Sequence, residues 1–309
     1  MNELQTMTTA LTENAQILER YIKNLDVKPK SKETYRKALR RFFAWVEETR
    51  RTDLSRADIL CYKEFLTAKY TASTVSAYIV AVRGFFKWLE AEKIYPNIVG
   101  DIKGAKGSKD FKKDTLTPSQ AKRILSQIDR DSVDGLRDYA IINLLMRTGL
   151  RTIEAQRANI EDIRQRGGQS LLYIQGKGRD SKDDFVILTP ATLEPIQQYL
   201  IARGRADQSA PLFVSHGNRS KGGHLTTRSI SRIVKETMRA AGIDSERLTA
   251  HSLRHTAVTF ALYGGATPQE VQQMARHSNI NTTLIYAHNI DRINRAPESK
   301  LDSYFDSFQ

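Results

Sequence analysis

Residues 138–155 read DYAIINLLMRTGLRTIEA, and the first part of this stretch predicts a long apolar helix that Gly149 ends. Arg151 follows at the start of the next helix. Its planar guanidinium and the helix amide groups would there point at the same oxyanion. A surface arginine paired with Glu154 or Glu161 would explain the same residues, so this stretch by itself leaves the function open.

The sequence on either side of this helix predicts two domains, which are mainly α-helical with a small β-sheet (α+β). A chain of 309 residues is too long for one small core. Residues 12–98 hold about four helical patterns and predict a small bundle. Residues 99–114 are rich in glycine and lysine and predict a flexible basic linker. The second domain is expected over residues 115–290, and residues 291–309 form a tail.

Helix starts are predicted at three positions from their capping patterns. Ser31 is expected to cap the helix that contains TYRKALRRFFAWVEE. Ser55 with Asp58, and Thr117 with Gln120, have the spacing of a capping box, in which side chain and backbone cap each other.

The charge of the chain favours a polyanionic partner. Lys and Arg number 48 against 35 Asp and Glu, a net charge of +13, and each phosphate that a protein neutralises releases condensed counterions. The single cysteine, Cys61, excludes an internal disulfide and a C-x-x-C zinc site. The polar N-terminus lacks a signal-peptide pattern, and no apolar run reaches the roughly 18–20 residues of a membrane span. We therefore expect a cytoplasmic protein that acts on nucleic acid.

A predicted hairpin places one lysine between two glycines. The segments SLLYIQ and DFVILT read as strands, and GKGRDSKD between them reads as the turn. Lys177 is at its tip, where flexible glycines would let it reach into a groove. The surroundings do not match a phosphate-binding P-loop, and a simple soluble turn is the alternative.

A second cationic group lies in TAHSLRHTAVTFAL, residues 249–262. His251 and Arg254 are three residues apart and share one helical face, and His255 follows His251 by four. A zinc site is disfavoured because the glutamate of the H-E-x-x-H motif is missing and the arginine would repel a cation. An anion fits this pair better.

The last group lies in RHSNINTTLIYAH, residues 276–288, which contains His277 and Tyr286. By spacing alone, Tyr286 is either a packing aromatic or a nucleophile. Taken with the preceding stretches, these residues supply a metal-free phosphoryl transfer: guanidiniums bind the phosphate, histidines move protons, a lysine protonates the leaving group and a tyrosine attacks.

Together the motifs TGLRTIEA, GKG, HSLRH and MARHSNINTTLIYAH resemble, in order and interval, those of the tyrosine recombinases, or phage-integrase family, which includes the Xer recombinases. The resemblance spans roughly residues 12–290. It implies an N-terminal four-helix core-binding (SAM-like) domain and a catalytic domain that form a C-shaped clamp on duplex DNA.

The resemblance also implies six catalytic residues, namely Arg151, Lys177, His251, Arg254, His277 and Tyr286. By this resemblance Arg151 and Arg254 clamp the scissile phosphate, and His277 hydrogen-bonds to it. His251 is the acid/base partner of the tyrosine, and Lys177 protonates the leaving 5′-hydroxyl. Tyr286 attacks and forms a 3′-phosphotyrosyl link. No cofactor or metal is implied.

The family's partners are a double-stranded DNA recombination site and further copies of the chain or of a paralogous recombinase. Four protomers exchange strands through a four-way junction, each inserting its C-terminal segment into a neighbour. Residues 287–309 are either that segment or a disordered tail. Arg276 departs from the family pattern, which often has glycine there, and reaches either phosphate or an acid such as Glu154.

Two other functions remain as alternatives. One is a type IB topoisomerase, which relaxes DNA by similar chemistry, and the other is a DNA-binding factor without catalysis. The compact two-domain layout with a tail favours the recombinase over the first, and the complete set of six residues disfavours the second.

Overall fold

The computed structural model describes residues 15–106, 114–176, 178–216, 222–295 and 297–306. The chain is divided into two compact units, Met1–Asp110 and Phe111–Gln309. The described residues are mostly helical with one three-stranded sheet, which confirms the predicted fold class. Within these ranges, every helix is too short or too polar to cross a membrane.

The N-terminal unit is a helical bundle around an aromatic core. Its helices are α1 (residues 15–24), α2 (Pro29–Glu48), α3 (Arg56–Lys69) and α4 (Ala72–Ala91). Phe42 of α2 lies at the centre, with its ring edge-on to Tyr62 of α3 at 5.0 Å and to Phe86 of α4 at 6.0 Å between ring centroids. Such edge-to-face pairs stabilise beyond the area they bury.

Two helix starts were predicted in this unit: the one at Ser55 is confirmed, and the one at Ser31 is wrong. Ser55 and Asp58 form the expected capping box at the start of α3. Helix α2 begins at Pro29 with Lys28 before it, so Ser31 lies inside the helix. Proline suits the first helical turn because its φ is already helical and its missing N–H has no partner there.

The first part of the predicted linker packs onto the N-terminal unit. Val99 and Ile102 are buried in its core, and the Arg83 guanidinium donates to the Ile102 carbonyl. The Ser76 hydroxyl donates to the Ala105 carbonyl at 3.0 Å. Apolar side chains among the glycines and lysines therefore anchor this part, while residues 107–113 lie outside the described residues.

The C-terminal unit opens with α5 (Pro118–Ser126), α6 (Val133–Thr148), α7 (Thr152–Arg157) and a 3-10 helix (Ile160–Asp162). An antiparallel sheet follows, in the order β1 (Ile163–Arg166), β2 (Gln169–Ile174) and β3 (Asp184–Leu188). The remaining helices are α8 (Pro190–Arg203), α9 (Thr227–Ala240), α10 (Ala250–Tyr263), α11 (Pro268–Ala275), α12 (Asn281–Arg295) and α13 (Pro297–Asp306). The predicted β2–β3 pair and the Thr117–Gln120 capping box are confirmed, whereas β1 was not predicted.

Helix α6 is the central helix of this unit. It is buried on several faces, with Ile141, Ile142, Leu144 and Leu145 fully inaccessible, as expected from the mostly apolar run at residues 140–146. Gly149 ends the helix in the left-handed conformation, with φ of 63°, which confirms its predicted role.

The C-terminal tail is helical rather than irregular. Helix α12 continues to Arg295, and α13 carries Leu301, Tyr304 and Phe305, whose exposed fractions are 57%, 61% and 67%. Their i, i+3, i+4 spacing places these three side chains on one face of α13. The tail thus presents an exposed apolar face.

Candidate active site

Four helices of the C-terminal unit, or the residues that flank them, carry the predicted site residues. Arg151 is the residue that precedes α7, and α10 carries His251 and Arg254. His277 follows α11, and Tyr286 lies on α12. Helix α10 packs against α6, α11 and α12, which brings these elements together. Lys177, the sixth predicted residue, lies outside the described residues.

Arg254 is a buried guanidinium fixed by backbone carbonyls. Its side chain donates to the Gly149 carbonyl at 2.6 Å and to the Ala275 carbonyl. The same side chain therefore joins the ends of α6 and α11. Burial, together with the positive charges of Arg151 and Arg276, lowers its pKa to about 10, so it remains protonated at neutral pH.

Arg151 is held by a buried carboxylate, that of Glu154, which is 1% exposed. One Glu154 oxygen accepts from the Arg151 guanidinium at 2.8 Å, and the other accepts from the Arg151 backbone N–H at 2.8 Å. The pair between Arg151 and Glu154, one of the alternatives that the sequence offered, is present. It belongs to a buried network and is not a surface ion pair.

Arg276 is the second guanidinium on this carboxylate. Its Nη2 donates to Glu154 Oε2 at 3.0 Å, and its side chain is 8% exposed. Burial alone would raise the pKa of Glu154, but Arg276 and Arg151 outweigh burial and hold that pKa below its ordinary value. The sequence predicted that Arg276 contacts either phosphate or an acid. The structure shows the contact with the acid, Glu154.

The backbone at Arg276 explains why glycine would suit this position. Arg276 ends α11 with φ of 54° and ψ of 49°, in the left-handed region. This conformation costs a non-glycine residue about 1–2 kcal/mol. Its hydrogen bonds to Glu154 and to the Met274 carbonyl, at 2.6 Å, offset that cost.

Replacing Arg276 with glycine is expected to slow DNA cleavage by roughly tenfold to a hundredfold, because Arg151 would lose the network that orients it. Stability should fall by only about 1 kcal/mol, since the lost charged hydrogen bond is partly offset by relief of the backbone. Single-turnover cleavage rates and urea unfolding measure the two effects. Lys93→Gly is the matched control, because Lys93 is exposed and has φ of 57°. An unchanged cleavage rate in Arg276→Gly would contradict the prediction.

Tyr286 is a buried phenol whose hydroxyl meets a histidine. It is 7% exposed and packs among Val258, Val271 and Ala275. Burial raises its pKa to about 12, although the nearby Arg254 acts in the opposite direction. Its hydroxyl is hydrogen-bonded to Nδ1 of His255.

His255 was not among the residues predicted for the site. Its ring centroid lies 5.6 Å from that of Tyr286 and 4.6 Å from that of the exposed His251, which it meets edge-on. The signal that could have found it is the four-residue spacing from His251, which places both rings on one helical face.

His277 is a neutral imidazole in a positive environment. Burial and the charges of Arg254 and Arg151 lower its pKa to about 4. Its Nδ1 is hydrogen-bonded to the hydroxyl of the buried Thr283 at 2.8 Å, which orients the ring. The second threonine of NTTLIY therefore positions this histidine.

The described part of the β2–β3 hairpin is anchored by charged groups. Lys182 pairs with the buried Asp162 at 2.5 Å, and Arg157 donates to the Gly176 carbonyl at 3.3 Å. Asp183 pairs with Arg179 at 2.9 Å. The hairpin lysine at position 182 is thus engaged in a structural ion pair.

An open cleft of about 980 Å³ lies beside Arg151 and His251. Its lining includes Lys235 and Arg239 of α9, which both pair with Asp244, and also Glu246. The cleft therefore carries charged groups of both signs. The site combines this polar cleft with two buried guanidiniums, two further imidazoles and a buried phenol.

Comparisons with known proteins cover most of the chain. Residues 114–292 match the phage integrase family, and residues 15–95 match its N-terminal SAM-like domain. Tyrosine recombinase XerA of Pyrococcus furiosus is 31% identical over 280 residues, which cover 89% of this chain and 90% of the relative. Tyrosine recombinase XerD of Rhizobium meliloti is 31% identical over 247 residues, or 77% of either chain.

A solved structure shares the fold. The XerH recombinase bound to a palindromic difH substrate, in a post-cleavage complex, aligns with a TM-score of 0.75 and 21% identity, over 94% of this chain and 85% of that one. The family match and these relatives define a DNA breaking and rejoining enzyme of the tyrosine type. This chain belongs to the phage integrase family and is a tyrosine-type site-specific recombinase.

Proposed function

We propose that this protein cleaves duplex DNA at a specific site and rejoins it through a 3′-phosphotyrosyl intermediate formed by Tyr286. The observation that carries the proposal is the grouping of Tyr286 and His277 with Arg254 and Arg151. Arg254 donates to the carbonyl of Gly149, two residues before Arg151, and to that of Ala275, two residues before His277. Helix α10, which carries Arg254, packs against α12, which carries Tyr286.

Arg151 and Arg254 bind the two non-bridging oxygens of the scissile phosphate. A guanidinium fork matches the geometry of phosphate oxygens, and a clamp that is ordered beforehand need not reorganise during the reaction. The buried anchors of both side chains, Glu154 for one and two backbone carbonyls for the other, support this role. His277, uncharged at neutral pH, donates a hydrogen bond to the same phosphate.

Proton transfers complete the chemistry. Tyr286 loses the proton of its hydroxyl as that oxygen attacks phosphorus, and the bond to the 5′-oxygen breaks. His251 is the acid/base group on the tyrosine side, and Lys177 protonates the departing 5′-oxygen. The pairing of Lys182 with Asp162 supports Lys177 as the acid, since Lys182 is committed to a buried partner. The guanidiniums supply the charge that a metal ion supplies elsewhere, so no metal or cofactor takes part.

The partners are a double-stranded DNA recombination site and further copies of the chain. Four protomers exchange strands through a four-way junction, and α13 of each docks on a neighbour. The exposed apolar face formed by Leu301, Tyr304 and Phe305 supports this docking, because apolar side chains on one helix face gain free energy when a partner covers them. The net charge of +13 supports contacts with the DNA backbone.

A nicked duplex tests the proposal. Wild type and Tyr286→Phe are incubated with duplexes drawn from the DNA that flanks the gene, each nicked near the cleavage site so that the broken strand escapes. We expect a covalent protein–DNA adduct on a denaturing gel for the wild type and none for Tyr286→Phe, because phenylalanine has no nucleophilic oxygen. An equal adduct in both proteins would refute the assignment.

The products of the reaction separate recombination from topoisomerase activity. Wild type is incubated with a supercoiled plasmid that carries two copies of the cleaved site. Recombination yields exchanged products that a restriction digest detects, whereas a type IB topoisomerase relaxes the plasmid and leaves its restriction map unchanged. A binding factor without catalysis would do neither.

A further inference from the structure

His255 contacts the reacting atom of the proposed mechanism, although it is not one of the six residues to which that mechanism assigns a step. Its Nδ1 is hydrogen-bonded to the hydroxyl of Tyr286, and the two rings are tilted by 30° at 5.6 Å. The contact joins α10 to α12 across 31 residues of sequence. A long-range contact of this kind depends on the packing of the two helices.

Tyr286 requires a proton acceptor. Its side chain is buried among apolar residues, where a phenolate without compensation would be costly, and its pKa is raised to about 12. The phenol therefore keeps its proton at neutral pH until a base removes it during attack. The base must lie within hydrogen-bonding reach of the hydroxyl.

We infer that His255 is a catalytic residue that takes the proton from Tyr286 during cleavage and returns it during rejoining. This inference rests on the proposed function. A lone pair of the Tyr286 oxygen forms the bond to phosphorus, while the O–H bond breaks, leaves its electron pair on that oxygen and gives its proton to Nδ1 of His255. The electron pair of the broken P–O bond leaves with the 5′-oxygen, which takes a proton from Lys177. In the reverse step the His255 imidazolium protonates the departing tyrosine oxygen.

The surroundings of His255 suit this exchange. His251 lies on the same helix and meets the His255 ring edge-on at 4.6 Å, and its own side chain is exposed. His251, the acid/base group of the proposed function, therefore acts on Tyr286 through His255: His255 takes the proton, and His251 exchanges it with solvent. His277 is less suited to the task, because its Nδ1 is bonded to Thr283 and positive charges surround it.

The decisive variant is His255→Asn. An asparagine amide oxygen falls close to the position of Nδ1, so it can still accept the Tyr286 hydrogen bond, but it cannot take up the proton. Cleavage of the nicked duplex by His255→Asn should be roughly a hundredfold slower or more, the usual effect of losing a general base. His255→Ala, which removes the hydrogen bond as well, should be no faster.

Two chemical substitutions show which proton His255 handles. A fluorinated tyrosine at position 286 has a more acidic hydroxyl and should restore much of the lost rate in His255→Asn, which a misfolded variant could not show. A substrate with sulfur in place of the bridging 5′-oxygen needs no acid for its leaving group. It should rescue Lys177→Ala but leave His255→Asn slow.

The outcomes discriminate between the hypotheses. A wild-type rate in His255→Asn would overturn the role of His255 while leaving the proposed function intact. Rescue of His255→Asn by the sulfur substrate, without rescue by fluorotyrosine, would also overturn it, since His255 would then act on the leaving group. Absence of a Tyr286-dependent adduct in the wild type would instead refute the proposed function.

Discussion

Replacing Arg254 with alanine is expected to abolish the covalent adduct, with a loss of at least roughly a thousandfold in cleavage rate, while most of the affinity for duplex DNA remains. Arg254 is the more deeply buried of the two clamp arginines, at 3% exposed. Its guanidinium is fixed between the Gly149 and Ala275 carbonyls. It offers charge that needs no reorganisation as the phosphate gains negative charge. Affinity should persist because Arg254 is one of 48 Lys and Arg residues, and phosphate contacts by other cations would hold the backbone.

Two control variants sharpen this test. Arg254→Lys keeps the charge but loses the planar fork, so it should remain nearly inactive. Arg232→Ala removes an exposed cation of α9 and should weaken DNA binding without slowing single-turnover cleavage at saturating enzyme. Adduct formation on a nicked duplex and gel-shift affinity are measured for all three. Loss of all DNA binding in Arg254→Ala would contradict its role as a phosphate clamp.

Glu154→Ala is expected to destabilise the C-terminal unit by about 3–5 kcal/mol, the cost of leaving a buried charge without its partner. The carboxylate is 1% exposed and neutralises Arg276, whose side chain is 8% exposed. Glu154→Gln keeps the volume and one acceptor oxygen and should cost less. Urea unfolding measures the difference in the free energy of unfolding between the variants, provided that the m-value is unchanged.

A double variant shows whether the pair is responsible. Glu154→Ala combined with Arg276→Gly should be less destabilised than the sum of the single variants, since neither charge is then left alone. Additive free energies of unfolding would contradict the pairing.

The pH dependence of stability gives an independent check on Glu154. Its pKa is held below the ordinary value of 4.5 in the folded chain by Arg276 and Arg151, against the effect of burial. The stability that the carboxylate contributes is therefore complete above about pH 4.5 and is lost as the pH falls through the folded pKa. The stability difference between wild type and Glu154→Gln should accordingly shrink in acid. A constant difference down to pH 3 would show that the charge is not responsible.

Local features of the fold were predictable from the sequence because neighbouring residues decide them. Gly149 ends α6, Thr117 caps α5 with Gln120, and two alternating segments pair as a hairpin. The N-terminus of α2 was misjudged, because Pro29 and Ser31 both suit a helix start. The short strand β1 escaped prediction because its sequence, IRQR, carries little apolar alternation.

The motif residues of the candidate site were predictable from the sequence, but the contacts between them were not. The order and spacing of Arg151, Lys177, His251, Arg254, His277 and Tyr286 identified the family and its chemistry. Glu154 was named from the sequence only as one alternative partner of Arg151 and of Arg276, and nothing showed that both guanidiniums share it. The spacing of His255 from His251 placed it on the same helix face but did not connect it with Tyr286.

By itself, the sequence determined the two-domain helical architecture, the polyanionic partner and the residue types needed for phosphoryl transfer, because periodicity, charge and motif spacing are properties of the chain. Only the tertiary structure decided which of these groups meet. Arg276 reaches Glu154 across 122 residues of sequence, from a left-handed backbone position at the end of α11. Such contacts depend on how α7, α10, α11 and α12 pack. The roles proposed for Arg276 and His255 therefore depend on the positions of helices, which no local pattern encodes.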